Sequence, residues 1–391
     1  MFLLARTQVL SGRPDDALVM IRRIAETGAA VDVSADEFTR MRELPGWPVV
    51  EAIMAGKPNP VVVPSPPAPA AMPPAEALAP SASIGKAPAP APSAAIAPGV
   101  TAAPIVIDDA GRFTSREFAP GGLACDAVSK RFVFGDRPGR KLLIVAEGSD
   151  HSIDLTRAGV AGFLDVMALD IDTTNGNLWV ASAEADGSGA TLHRLQLISG
   201  RALASYGMPD GAVAVQPVDV AVTASRGVLV LDAAQRRVLV LRPGAAALTV
   251  MAELKNAEPL SLAVGSQGGV AYVAHRDGLL SVDLRSGKVA PLTGPKGMVL
   301  GGIERLRRSG ATLIAVQALP DGTRRLVRLT LNAAGGAITR LRVIDVPLPA
   351  GDAPIFTAVC GGTLGFLVGE ATGESERPDT AWTIRRIRLD R

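Results

Sequence analysis

The segment LDIDTTNGNLWVAS (169–182) alternates apolar and polar residues, turns at Asn175-Gly176, and resumes as a second apolar run. That pattern predicts two short antiparallel strands joined by a tight turn. It recurs as LACDAVSKRFVFGD (123–136), VAVTASRGVLVLD (220–232), LAVGSQGGVAYVA (262–274), IERLRRSGATLIAVQ (303–317) and TAVCGGTLGFLVGE (357–370). Successive copies begin about 41 to 54 residues apart. A third strand follows each copy, for example RRVLVLR (236–242) and WTIRRIRL (382–389), and most copies add a fourth, such as LTVMAEL (248–254). Four-stranded units at this period predict a mainly β chain folded as a six-bladed β-propeller over 105–391. The sixth copy has no fourth strand before the last residue, Arg391. An unpaired edge is a liability, so PIVID (104–108), ahead of the first copy, is expected to close the ring.

Composition narrows the partners. The 391 residues carry 40 Lys and Arg against 38 Asp and Glu, a net charge of +2, and the charges are scattered. No basic stripe with interleaved aromatics is present, which argues against nucleic acid. No run of some 18 apolar residues is present, so no membrane-spanning helix is expected. The richness in Ala, Gly, Pro and Arg reads as that of a GC-rich bacterial genome. The two cysteines, Cys125 and Cys360, exclude a disulfide-dense scaffold and a cysteine-only zinc site. Both fall in the first strand of a repeat, in the first and last units. They read as two buried thiols acting as small hydrophobes, with a bridge between ring neighbours as the alternative.

Ahead of the ring lie two other regions. Residues 1–56 read as helical. Leu3, Leu4, Val9 and Leu10 share one face, Gly12 and Pro14 separate two helices, and Ala17, Leu18, Ile21, Ile24 and Ala25 recur at helical spacing up to Gly28. Ser34 and Glu37 have the spacing of a capping box for a third helix, and Trp47 is expected to pack near Val50 and Ile53. Residues 57–104 are dominated by Pro and Ala, with charge only at Lys57, Glu76 and Lys86. Such a segment reads as a disordered, extended linker, reaching roughly 100 Å at about 3 Å per residue. The start, MFLLARTQVLSG, lacks a basic region and a cleavage site. The cytoplasm is therefore the default compartment, with the periplasm expected if the true start lies upstream.

LARTQVLSGRPDDALVMIRRIAETG resembles the latter part of a tetratricopeptide repeat, which implies protein partners for the helical module. VLDAAQRRVLVL (230–241) resembles an NHL-type blade, with Asp232 and Arg236-Arg237 at the matching positions. The ring as a whole is similar to the gluconolactonase/senescence-marker/luciferin-regenerating propellers. The resemblance rests on PGGLACDAVSKRFVFGD (120–136), PVDVAVTASRGVLVLD (217–232), PLSLAVGSQGGVAYVA (259–274) and LIAVQALPDGTRRLVRLTLNAAGGAITR (313–340). It implies hydrolysis of lactones or esters by one divalent cation, such as calcium, held at the top of the channel by a Glu, Asn residues and an Asp. This sequence departs from that set. Pro120-Gly121-Gly122 replaces Pro-Glu-Gly, Pro259-Leu260-Ser261 replaces Pro-Asn-Gly, Gly301-Gly302 replaces Asp-Gly, and Val218-Asp219 retains only the Asp.

The expectation is therefore a non-catalytic binding or scaffolding propeller with no cofactor and no catalytic residue. It would meet protein partners through the helical module or a propeller face. A metal-dependent lactonase or esterase with a rearranged site, and a small-molecule sensor using the channel, are the alternatives. Under the hydrolase alternative the metal candidates are Asp165, Asp219, Glu258 and Glu304, which fall near the starts of inner strands. Turn-capping and solvated rim positions are their plainer roles. His151, His193 and His275 lie in different blades and read as surface or packed residues. Asp108, Asp172 and Asp283 read as turn residues, and Trp179 as core.

Overall fold

In a computed structural model of the protein, the described residues are 5, 6, 9, 14–26, 32–56, 106–209, 214–225, 227–266, 268–349, 355–372 and 379–389. The chain divides into two units, Met1–Ile96 and Ala97–Arg391. The second is a ring of six four-stranded antiparallel sheets. Its inner strands are Pro120–Asp126, Asp165–Asp172, Pro217–Val222, Pro259–Val264, Ile303–Ser309 and Thr357–Cys360, which define blades one to six. Neighbouring inner strands touch in that order, and the sixth touches the first.

Period-two alternation explains why the middle strands are apolar throughout. In the second strand of blade three, Val228–Asp232, Val228 and Val230 pack toward blade two while Leu229 and Leu231 pack toward blade four. A strand buried on both faces needs no polar alternation. Each of the six ring clusters fills one seam between adjacent blades. The inner strands of blades one to five each carry a register slip near their start, between Pro120/Leu123, Val166/Ala168, Pro217/Asp219, Pro259/Ser261 and Ile303/Arg305. Such bulges re-aim the residues that follow them.

The ring closes in blade six, where the N-terminal strand Ile107–Ser115 pairs with Asp379–Arg388. Closure by a strand from the other end of the unit was expected, but its position differs. Pro104 and Ile105 lie outside the described residues, and pairing runs through DDAGRFTS, past a slip between Asp109 and Gly111. The polar run hides a strand because its burial comes from a few residues, chiefly Ala110 and Phe113. Asp108, expected in a turn, lies within this strand and receives Arg386 at 2.9 Å, because the strand continues through it.

The closing seam is fastened by aromatic packing, an ion-pair network and a disulfide. Phe118 meets Phe113 and Trp382 edge-to-face, each with centroids 5.2 Å apart, geometry that suits the aromatic quadrupole. Arg386 pairs with both Asp108 and Glu147, joining blade six to blade one. Cys125 and Cys360 form a disulfide between the two inner strands, with Cα atoms 5.5 Å apart. This corrects the expectation of two buried thiols: the first and last inner strands are ring neighbours and bring the two sulfurs together.

In the first unit, a helix over Pro14–Glu26 buries Ala17, Ile21 and Ala25. Short helical segments follow over Asp36–Phe38, Thr39–Arg42 and Trp47–Met54. Phe38, Met41 and Val50 complete a small core, with Trp47 packed against it. The expected capping box at Ser34 does not form. Asp32 Oδ1 accepts the Ser34 hydroxyl at 2.6 Å and its N–H at 3.0 Å, so the serine closes an Asx turn and the helical segment follows Ala35. Most of the first predicted helix, with the helix-ending glycines 12 and 28, lies outside the described residues, as does the linker 57–104. Among the described residues no helix is long and apolar enough to cross a membrane.

The bridge spans 235 residues of sequence, so it restricts the unfolded chain strongly. Replacing both cysteines with serine, or adding reductant, is expected to lower the unfolding free energy by about 2–4 kcal/mol, read as a shift in the guanidinium midpoint at constant slope. An unchanged midpoint would show that the seam holds without its covalent link.

Candidate functional site

Inner strands of a propeller are sheet edges, and the edges face the axis. Their backbone groups need partners there, since unpaired buried polar groups are costly. Three side chains supply acceptors. Asp170 of blade two accepts its neighbour Ile171 N–H at 2.9 Å and Val222 N–H of blade three at 2.8 Å. Asp219 of blade three accepts Val220 N–H at 3.1 Å, Leu262 N–H of blade four at 2.9 Å and the Ser261 hydroxyl at 2.6 Å. Ser261 Oγ in turn accepts Leu306 N–H of blade five at 3.0 Å.

Arg307 of blade five completes the belt. Its Nη1 donates to Asp219 Oδ2 at 2.9 Å and to the Leu306 carbonyl at 2.8 Å, and its Nε donates to the Thr357 carbonyl of blade six at 3.0 Å. Beside it, the Arg305 guanidinium stacks over Phe356 at 4.7 Å. Blades two to six are thus stitched around the axis, and the disulfide joins six to one. Between blades one and two the fastening is close approach. A β carbon on Gly121 would sit 1.7 Å from the Val166 carbonyl oxygen, so no side chain fits there. This is the position where the lactonase-like pattern places its Glu.

Electrostatics follow the geometry. Burial pushes the Asp219 carboxyl up, but the Arg307 and Arg305 charges, with the hydrogen bonds from Arg307 and Ser261, more than offset it and leave the group below its ordinary value. Asp170 has backbone donors but no ion pair, and burial raises it to about 6. In blade two, His193 is buried, with Nε2 2.9 Å from Ser182 Oγ and Nδ1 3.1 Å from Ser205 Oγ. Phe163 lies edge-on at 4.9 Å, and desolvation lowers His193 to about 4.

Below the belt, the ends of the inner strands and the turns after them enclose a cavity of about 400 Å³. Its wall includes Ala221 and Ala263, small residues two positions past the bulge in their blades. The equivalent positions in blades two and five are Asp170 and Arg307, on opposite sides of the ring.

The four carboxylates singled out as metal candidates do not share a point. Asp165 receives Arg140 Nε at 3.2 Å, and the same guanidinium reaches Glu184 at 3.0 Å. Glu258 pairs with Arg276 at 2.9 Å on the exposed rim, and Glu304 takes Arg324 through both oxygens at 2.9 and 3.2 Å. Asp219 alone reaches the axis, where Arg307 holds it. A hard divalent cation takes six or more oxygens. Among the described residues no group of three His, Cys, Asp or Glu side chains is placed to hold one. The arginine-paired carboxylates do not fit the metal that the lactonase-like resemblance implies.

Other sequence readings find their places. Trp179 is buried. Asp172 and Asp283 each accept backbone N–H groups of the following turn. Asp232 pairs with Arg237 at 3.0 Å in blade three, and His151 is an exposed neighbour of Asp150. Arg307 was missed. Its one signal is a pair of charges at even spacing, Arg305 and Arg307, where the inner strand of blade four carries Ser261 and Ala263.

No family model matches the sequence, and no curated protein does. Among solved structures the chain is similar to a streptogramin B lyase, with 12% identity, coverage of 73% of this chain and 98% of that one, and a TM-score of 0.49. It is also similar to regucalcin, a calcium-binding protein from Agrobacterium tumefaciens strain C58, at 14% identity over 72% and 95% with a TM-score of 0.48. The PQQ-bound aldose sugar dehydrogenase of Streptomyces coelicolor matches at 10% identity over 72% and 98%, also with a TM-score of 0.48. At such identities a likeness concerns the fold and leaves the chemistry open.

Arg307→Leu would strand the Asp219 carboxylate among buried groups. The expected cost is about 3–5 kcal/mol in chemical unfolding, whereas Arg308→Leu at the exposed neighbour should change stability by less than about 0.5 kcal/mol.

Acid should act on two groups with opposite sign. The folded-state value of His193 lies below the unfolded 6.5, so its contribution is full above pH 6.5 and is lost toward pH 4. Asp170 is raised, so its cost applies above pH 6 and is relieved as pH falls toward 3.8. Between pH 7 and 5, His193→Gln is therefore expected to gain about 2 kcal/mol relative to the unsubstituted protein in urea unfolding. Parallel pH profiles for the two proteins would contradict the assignment.

Proposed function

We propose that the ring is a non-catalytic binding or scaffolding propeller related to the lactonase-like family but without its metal site. The observation that carries this reading is the pairing of all four candidate carboxylates with arginines, while Arg307 and Asp219 occupy the axis itself. Gly121 supports it further, since the close approach of Val166 forbids the expected Glu. The helical module, with its tetratricopeptide-like sequence, is read as the part that engages a protein partner. Exposed Val19 on its first described helix supports that role. The disulfide supports an oxidising compartment, the periplasm in a bacterial cell.

A metal-dependent lactonase or esterase with a rearranged site is the competing reading. Calorimetry with calcium, magnesium, manganese and zinc, together with turnover assays on a lactone and ester panel, separates the two. The expected result is neither tight cation binding nor turnover. Cation binding that supports hydrolysis, lost together with Asp219→Asn, would overturn the proposal.

A further inference from the structure

The axial cavity carries a second assignment, independent of any protein partner. It opens among the late inner-strand residues and their turns, the end of the ring opposite Asp165, Glu258 and Glu304. Its volume of about 400 Å³ falls within the range of small-molecule sites. Two of its four charged wall residues are already committed. Asp172 spends its carboxylate on the Thr174 and Asn175 turn, and Arg307 is held by Asp219 and two carbonyls.

The other two are not. Asp170 lines the cavity in blade two with only backbone donors on its carboxylate; the Arg307 charge acts on it through space, but that guanidinium spends its hydrogen bonds elsewhere. Arg308 lines it in blade five, is exposed, and makes one hydrogen bond, to the Gly310 carbonyl at 3.5 Å. Neither has an ion-pair partner among the described residues. Blades two and five face each other across a six-membered ring, so an acid and a base confront one another over the open space. The walls between are hydroxyls and small side chains, Thr173, Thr223, Ser266, Ala221 and Ala263.

We propose that this cavity binds a small zwitterion of the free amino-acid type, its ammonium on Asp170 and its carboxylate on Arg308. A ligand with only one charge would leave the opposite wall uncompensated, and a neutral one would satisfy neither. Charge-assisted hydrogen bonds at both ends supply the affinity and fix the ligand's direction in the ring. Burial raises the proton affinity of Asp170, and an ammonium partner would relieve that cost by stabilising the ionised carboxylate.

The test uses the full chain and the free L-amino acids one at a time, at up to roughly 10 mM, weak binding by the usual affinity scale. Thermal shift finds the best binder, and calorimetry measures it. At least one amino acid should bind. Its deaminated and decarboxylated analogues should each bind at least about tenfold more weakly, and Arg308→Gln should weaken it by about tenfold. Asp170→Asn should abolish the preference for the amino acid over its deaminated analogue. Arg308 is exposed, so that variant reads out the ligand contact even where Asp170→Asn unfolds the ring. No binding by any amino acid, equal binding of either half-ligand, or full affinity in Arg308→Gln would overturn the assignment.

Discussion

The Arg307–Asp219 pair is the interaction on which the middle of this ring depends. Six inner strands turn unpaired backbone edges toward one axis, where Asp219 is buried. Charge in such a place is costly unless it is both paired and hydrogen-bonded. The pair meets both conditions, since each partner also bonds to backbone groups or to Ser261 across three blades. Low local polarity strengthens each of these bonds and penalises loss of any one. The same residues that satisfy the edges occupy the axis at the level of the belt, so the need of the edges also explains why Asp219 meets a guanidinium there.

Much of the fold was legible because the second strands are buried on both faces. VLVLD and NLWVAS announce themselves as uninterrupted apolar runs, and their period counts the blades. The closing strand was located only to within a few residues, because a strand whose buried face rests on Ala110 and Phe113 has no run to see. At the site, Asp219 was visible through the lactonase-like resemblance, but its partner was not. Arg307 lies 88 residues further on, and no local rule links them. Glu258 and Glu304 were picked by position along the strand. What they do is decided by Arg276 and Arg324, which reach them from turns and strands of the same blade.

Seams rather than sheets distinguish the blades from one another. Each sheet repeats one plan, yet the inner contacts between them differ: a glycine too close to a carbonyl, a carboxylate across two backbone amides, a serine shared by two blades, a guanidinium and a disulfide. Distinct fasteners oppose exchange of one blade for another during folding, since an acid in the wrong seam would meet no donors. The bulge at the head of five inner strands gives all of them the same starting geometry, so a change of one side chain after the bulge changes the fastener without altering the sheet.

The bridge from Cys125 to Cys360 also makes most of the ring a covalent macrocycle. A protease that nicks a single exposed turn between these residues leaves one molecule of two polypeptides, still joined through sulfur. Release of a fragment requires a second cut or a reductant. A surface loop between the two cysteines can therefore be cut once while the ring stays in one piece.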